Sequence, residues 1–485
     1  MNPGFNRRHK DSGMFHVTLD PEGPGVIRLH LRRPKRSLRD FFRKPKSSML
    51  WINGTQLLLL EDSAADIVQA LIETVEDKTQ PGEEVSYETW LMIKRDIAHR
   101  VHGLYPRTPV SRIEEDIDYI YGLIVELSKG ACPQDKGIEG EVITWQEWQA
   151  PARMDLMISS MKGSGCQNAC AWCYASDMPD IPELDTASWK KALDLLWEAG
   201  IPHIDFTGGE PTTRPDLVEL VGYAEQFVTG LITNGRTLAG LAKDLKGVSL
   251  DYVQISIESA NPEIHDRIVR SKGAWTETVS GIRAALDAGL YTSTNTTLTR
   301  ENADDFPELI RFLRGLGVRY IGCNSLIKTG LGANHKQALE ETELEAVLRK
   351  AVQTANELNI EFNWFTPTCY LKFNPLDFGL GPKSCSACIT NMAVRPDGVV
   401  VPCQSWLHDE GLGNILTVPW ARIFNHPLAR RIREHEFTDQ KCKECEHLAI
   451  CGGACQIEHV LPPGGASDTG SETDADRVEK RRTLS

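Results

Sequence analysis

Between residues 152 and 335 the chain alternates strand-like runs with amphipathic helical stretches six times. The runs near 154–159, 204–207, 229–233, 252–258, 291–297 and 320–325 read as strands. The stretches between them, such as 187–198, 215–226, 275–288 and 303–316, carry apolar residues at helical spacing and suit crossovers between parallel strands. Six such units predict an α/β fold, a partial (β/α)6 TIM-like barrel. The chemistry of parallel barrels sits beyond the C-terminal ends of the strands.

Ahead of residue 152 the pattern changes. FHVTL (15–19) and VIRLHL (26–31) alternate as strands around a Pro-Gly turn, and 49–52, Asn53-Gly54 and 55–60 form a hairpin whose Asn-Gly pair suits a type I′ turn. A helix follows, with Ser63 and Asp66 as a variant capping box and Ile67, Val68, Leu71 and Ile72 as its apolar face. Helical stretches near 87–101 and 111–128 complete a small N-terminal α+β domain, residues 1–128. Residues 129–151, with Gly130, Pro133, Gly137 and Gly140, read as a linker. Beyond the barrel, 336–384 supply a bridging helix and connection, 385–461 are cysteine-rich, and 462–485 read as a disordered tail rich in Gly, Ser, Thr, Asp and Glu.

With 485 residues, 41% of them hydrophobic, the chain can build several cores. Its net charge of -14 argues against a nucleic-acid partner. One stretch runs the other way: Arg7, Arg8, His9 and Lys10, then Arg32, Arg33, Lys35, Arg36, Arg39, Arg43, Lys44 and Lys46. It is either a solvated basic arm or an attractor for an acidic peptide segment. No apolar run approaches membrane-spanning length and the N-terminus lacks a signal-peptide core, so a cytoplasmic protein without a membrane partner is expected. The 13 cysteines cluster at metal-ligand spacings, which suits thiols kept reduced rather than disulfides.

The sharpest chemical signal is GSGCQNACAWCY (163–174), which sets Cys166, Cys170 and Cys173 at Cys-x3-Cys-x2-Cys spacing. Three soft sulfur ligands suit an iron–sulfur cluster, and a four-iron cube held by three thiolates keeps one iron open for chemistry. Zinc is the alternative, but it wants four ligands, usually as two close pairs, and no fourth Cys or His lies near this loop.

The spacing, with Trp172 and Tyr174 flanking the last cysteine, resembles the radical S-adenosylmethionine (radical SAM) enzymes. The resemblance implies a 4Fe-4S cluster whose open iron binds SAM and splits it to a 5′-deoxyadenosyl radical, fed by an electron donor such as ferredoxin or flavodoxin. It also assigns SAM contacts to Tyr174, to Gly208, Gly209 and Glu210 of a Gly-Gly-Glu-Pro motif, to Ser256 and Glu258 after the fourth strand begins, and to Asn295 of the fifth. Glycines let backbone approach a ligand closely, and Glu210 can accept from the SAM amino group. Ser256 and Glu258 alternate onto one face, where they serve either SAM or structure. Asn234 and Gly235 read first as a turn, with proximity to SAM as the lesser reading.

Cys385, Cys388 and Cys403, followed by Cys442-x2-Cys445-x5-Cys451-x3-Cys455, are similar to the SPASM extension of radical SAM proteins. By that resemblance Cys385, Cys388, Cys403 and Cys455 close one auxiliary iron–sulfur cluster, while Cys442, Cys445 and Cys451 hold a second. Zinc again remains the alternative. The family draws the second cluster's last ligand from a downstream cysteine, and this chain has none after Cys455. The expectation is a non-cysteine ligand such as Glu458, His459 or Asp468, or an open iron; a sharing that brings in Cys369 is the other arrangement. Cys132 and Cys323 read as structural thiols.

The N-terminal domain is similar to a winged-helix-like peptide-recognition element fused to several peptide maturases, in which a leader adds as a strand to a sheet edge. The family reading is therefore maturation of a peptide or protein. Action on a small molecule or cofactor precursor is the alternative, and a non-catalytic electron-transfer protein a third. Gln404 stands where anaerobic sulfatase-maturing enzymes carry an Asp base, which disfavours that subclass.

Overall fold

The computed structural model describes all residues except 1–13, 20–26, 34–47, 54–55, 80–85, 130, 132–147, 162–164, 249, 334 and 461–485, and excludes the side chains of 14–19 and 177. Most of the basic stretch, most of the 129–151 linker, Cys132, Asp468 and the tail lie outside the described residues. The chain divides into two compact units. One comprises Met1–Ala152 with Leu196–His203 and Gln226–Val228; the other holds the remainder.

In the first unit, β1 (Met14–Leu19), β2 (Ile27–Arg32), β3 (Ser48–Ile52) and β4 (Gln56–Leu60) form an antiparallel sheet in sequential order. The register pairs Ile52 with Gln56, and Asn53 takes a φ of 53° at the turn. Three helices follow, α1 (Asp62–Lys78), α2 (Tyr87–Leu104) and α3 (Val110–Ser128). The apolar face of α1, Ile67, Val68, Leu71 and Ile72, shares one core with Leu29, Leu31, Leu50 and Ile52. The Ser63 capping box does not form: α1 starts two residues earlier, with Glu61 as a cap lacking a side-chain bond. Asp66 is drawn away instead, accepting from Arg33 Nη1 and Tyr105 Oη, each at 2.6 Å.

The second unit carries the barrel. Its strands are β5 (Arg153–Ser159), β6 (His203–Gly208), β7 (Val228–Thr233), β8 (Tyr252–Ser256), β9 (Tyr291–Leu298) and β10 (Tyr320–Ser325). Between them lie α4 (Thr186–Glu198), α5 (Leu217–Tyr223), α6 (Ala242–Gly247), α7 (Pro262–Ile268), α8 (Ala274–Asp287) and α9 (Phe306–Leu316). Adjacent strands β7 to β10 pair in parallel, so both faces need cover, and β5 accordingly is buried along nearly its whole length.

The sheet extends past the six expected strands at both edges. After α10 (Glu341–Glu357), β11 (Glu361–Trp364) adds in parallel to β10, which puts a seventh strand inside the stretch read as a connection. On the other edge β12 (Asn391–Val394) pairs in parallel with β5 and leads into β13 (Val399–Val401) and β14 (Gly413–Asn414). The cysteine-rich region thus continues the barrel sheet, and Asn391 Nδ2 donates to the buried Asp155 of β5 at 2.9 Å.

Candidate active site

After β5 the chain enters the loop of Cys166, Cys170 and Cys173, which is anchored from three directions. Arg236, in the turn after β7, donates from Nη1 to the Gln167 carbonyl at 2.9 Å and to Asn168 Oδ1 at 3.0 Å. The Ala169 N–H donates to the Val269 carbonyl, just past α7, at 3.0 Å. From beyond β10 the Leu331 N–H donates to the Cys173 carbonyl at 3.2 Å. Trp172 is buried with Ile268, Val269, Ala274 and Leu326. Strand ends far apart in sequence therefore fix the three thiols at the C-terminal mouth of the sheet.

Burial pushes the Cys166 thiol up, and pushes Cys170 well up with the help of Glu258 and its neighbouring sulfurs. Such thiols are neutral on their own and release protons when a metal binds. Asn234 Nδ2 lies 3.8 Å from Cys166 Sγ and donates to Gln167 Oε1 at 3.0 Å, so an amide dipole already faces the sulfur. Among the described residues no three His, Cys, Asp or Glu side chains converge on a single-ion position. A four-iron cube, with a thiolate at each ligated corner, holds its sulfurs further apart than one ion does. This all-thiol, three-donor set fits such a cluster.

The Gly-Gly-Glu turn ends β6 beside this loop. Gly208 has a φ of 140°, and a Cβ there would come within 2.4 Å of the Ser159 carbonyl; at Gly209 it would meet the Ser160 carbonyl at 2.8 Å. The glycines thus answer first to the end of β5. Glu210 is buried and its carboxylate is engaged. Oε1 accepts from Thr212 N (3.1 Å), Thr212 Oγ1 (2.5 Å) and Thr233 Oγ1 (2.6 Å), and Oε2 from Asn234 N (2.7 Å). Burial raises its pKa and these donors offset the rise. Its clearest structural work is to hold the Asn234 turn, a role visible only once β6 and β7 lie side by side.

On β8 and β9, Ser256 and Asn295 are register partners. Asn295 Nδ2 donates to Asn324 Oδ1 at 2.8 Å, whereas its Oδ1 is buried without a partner among the described residues. A buried acceptor left open suits a ligand that brings a donor. Glu258, just past β8, accepts from the Thr297 N–H at 3.0 Å, and burial pushes its carboxyl up to about 8. Its own N–H donates to His265 Nδ1 at 3.1 Å, and burial lowers His265 to about 4, so that ring is neutral. Arg236 and Asn324 were not singled out from the sequence as site groups, and Asn234 read there first as a turn. The alternation of Ser293, Asn295 and Thr297 with buried threonines along β9 is the signal that could have pointed to Asn324 beside them.

Tyr174 is partly buried and its hydroxyl donates to Gln404 Oε1 at 3.1 Å, which ties the first cysteine loop to the residue after Cys403. Burial, with Cys173 and Asp155, raises its pKa. In the cysteine-rich region burial pushes Cys403 up to about 12, with the Cys385 sulfur adding to it. Cys388 rises through burial, opposed by Arg433, with Cys403 and Cys385 adding; Cys455 rises through burial with Cys385, Glu458 and Cys403 adding. The Cys385 sulfur thus adds to the rise at each of Cys388, Cys403 and Cys455. Arg433 Nε donates to the Cys388 carbonyl at 2.5 Å.

A thiol loop at the mouth of a parallel α/β sheet, a glycine turn beside it and a second field of thiols define the class: an iron–sulfur barrel enzyme. The radical SAM superfamily model matches residues 161–313, and the SPASM model, an iron-sulfur cluster-binding domain, matches 385–446. The chain is a radical SAM enzyme with a SPASM domain, which uses S-adenosylmethionine and a 4Fe-4S cluster together with auxiliary clusters. It is 28% identical over 317 residues to PqqA peptide cyclase of Gluconobacter oxydans, covering 63% of this chain and 86% of that one. It is 29% identical over 322 residues to the AdoMet-dependent heme synthase of Oleidesulfovibrio alaskensis, covering 59% and 79%. The fold matches Streptococcus suis SuiB bound to precursor peptide SuiA with a TM-score of 0.59 and 16% identity, covering 85% of this chain and 93% of that one.

Proposed function

We propose that the enzyme matures a ribosomally made peptide or protein, beginning with hydrogen abstraction from a substrate carbon. The observation that carries this reading is the sequence likeness to PqqA peptide cyclase, which spans 86% of that enzyme. Cys166, Cys170 and Cys173 hold the catalytic cluster; Tyr174, Gly208, Gly209, Glu210, Ser256, Glu258 and Asn295 line the cofactor. Cys385, Cys388, Cys403 and Cys455 hold one auxiliary cluster, and Cys442, Cys445 and Cys451 belong to a second. When bound, SAM and the cluster together supply a 5′-deoxyadenosyl radical, and the chain's part is to orient the substrate carbon and exclude water. The N-terminal sheet takes up a leader segment as an added strand. A ferredoxin or flavodoxin supplies the electron in the reducing cytoplasm.

Action on a cofactor precursor is the second reading, favoured by the likeness to AdoMet-dependent heme synthase. The deciding experiment incubates the anaerobically reconstituted enzyme with SAM, reductant and a short peptide encoded beside its gene. A peptide mass change coupled to 5′-deoxyadenosine supports maturation. No peptide binding or modification, with turnover on a porphyrin-type precursor, overturns it.

A further inference from the structure

Three of the thiols assigned to the second auxiliary cluster, Cys442, Cys445 and Cys451, lie on one short stretch, and the SPASM pattern gives the remaining cysteine there, Cys455, to the first auxiliary cluster with Cys385, Cys388 and Cys403. The chain brings another cysteine to them from upstream. Cys369 sits between β11 and the cysteine-rich region, and its carbonyl accepts from the N–H groups of Lys372 (3.0 Å) and Phe373 (3.1 Å), which pins a tight turn. Lys383 N donates to Tyr370 Oη at 2.8 Å, and the Thr368 N–H reaches the Lys383 carbonyl at 3.4 Å. Tyr370 in turn lies against His447, with ring centroids 6.2 Å apart, and His447 stands between Cys445 and Cys451. The residue beside Cys369 therefore touches the loop that carries the other thiols.

The two non-cysteine candidates among the described residues are placed less well. His459 Nε2 is taken by the Gly453 carbonyl at 2.7 Å, and Glu458 Oε2 faces Lys328 Nζ at 3.4 Å. A thiolate is also the softer donor, which iron–sulfur clusters favour. We propose that Cys369 is the fourth ligand of the second auxiliary cluster, closing it with Cys442, Cys445 and Cys451. This replaces the expectation of a carboxylate, an imidazole or an open iron. It rests on the auxiliary-cluster assignment and is independent of which substrate the enzyme takes. Each thiol gives its proton to solvent as its sulfur binds iron.

The test uses the full chain with Cys166, Cys170 and Cys173 changed to alanine, so that auxiliary clusters alone remain. Anaerobic reconstitution should give about eight irons, four for each cube. Adding Cys369→Ala should lower that count by one to four irons and change the electron paramagnetic resonance (EPR) spectrum of the reduced protein. Glu458→Gln and His459→Gln should leave both unchanged. A Cys369→Ala protein with the parent's iron count and spectrum would overturn the proposal, as would loss of iron in Glu458→Gln or His459→Gln instead. Should Cys369→Ala fail to fold, Cys369→Ser decides: oxygen in place of sulfur must shift the spectrum, and an unshifted one refutes the ligand. Iron content and spectra are read without substrate, so a failure of peptide maturation leaves this result intact and separately readable.

Discussion

Replacing Glu210 by Gln tests whether this carboxylate organises the site through the Asn234 turn. Its two oxygens accept four hydrogen bonds from Thr212, Thr233 and Asn234. The amide of Gln offers one carbonyl. If that oxygen faces Asn234, the Thr212 N–H loses its acceptor; if it faces the threonines, the Asn234 N–H does. The hydroxyls can turn, since Thr233 Oγ1 and Thr212 Oγ1 already accept from Gly235 N and Thr237 Oγ1, but a backbone N–H cannot. One buried N–H left unpaired costs about 1–3 kcal/mol. Weaker neutral bonds add to that, while relief from burying a charge offsets part of it, so the net loss should be about 1–3 kcal/mol. Urea unfolding of the reduced, metal-free chain measures it. Because Asn234 Nδ2 faces Cys166, the same change should weaken SAM binding about tenfold in the reconstituted enzyme, equivalent to about 1.4 kcal/mol. Stability within about 0.5 kcal/mol of the parent, which is the range of ordinary surface changes, together with unaltered SAM binding, would refute the reasoning.

Asn295→Ala should raise the SAM dissociation constant about 5–10-fold, the worth of one hydrogen bond to its open Oδ1; calorimetric titration showing no change would make that oxygen merely structural. Burial raises Glu258 from 4.5 to about 8, so between those values the folded chain keeps a proton that the unfolded chain has lost. Stability therefore falls as pH rises through that window, by at most about 1.4 kcal/mol per pH unit, and Glu258→Gln should flatten the slope of urea midpoint against pH. Arg214 is buried and donates to both oxygens of Asp216, to Glu183 and to the Ile158 carbonyl. Arg214→Met removes the cation from two partly buried carboxylates, which still accept from Thr186 and Ser160, and should cost about 3–5 kcal/mol, read as a shifted thermal midpoint.

The six barrel strands were legible because short β-branched or apolar stretches, alternating in β8 and β9, recur between stretches of helical spacing. β11 and β12 were not. Four residues each, EFNW and NMAV, carry too little period to separate from loop, and they become strands only because β10 and β5 offer open edges. The cysteine spacing marked where metal chemistry belongs, since ligands on one loop are a local property. What the side chains around it do is not local. The glycines of the Gly-Gly-Glu turn were assigned to ligand approach, whereas the nearest atoms belong to Ser159 and Ser160, roughly 50 residues earlier in the chain. Asp66, read as a cap, is claimed by Tyr105 and Arg33 from other elements.

The two cysteine fields differ in a way that bears on what each can do. The first loop is braced by Arg236, Val269 and Leu331, groups that hold its backbone and offer no further sulfur. The Asn234 amide lies 3.8 Å from Cys166 Sγ and turns its Nδ2 toward that sulfur. The second field is built the other way, with the Cys369 turn brought in from upstream and seated on His447 by Tyr370. A site with three sulfurs keeps a position for a small chelating molecule; a site with four does not. On that division bond activation belongs to the barrel mouth, and the second auxiliary cluster is left with holding the fold or carrying an electron. Tyr174 and Gln404 then gain importance, because their hydrogen bond is the direct side-chain link between the loop where the reaction starts and the segment through which an electron would leave.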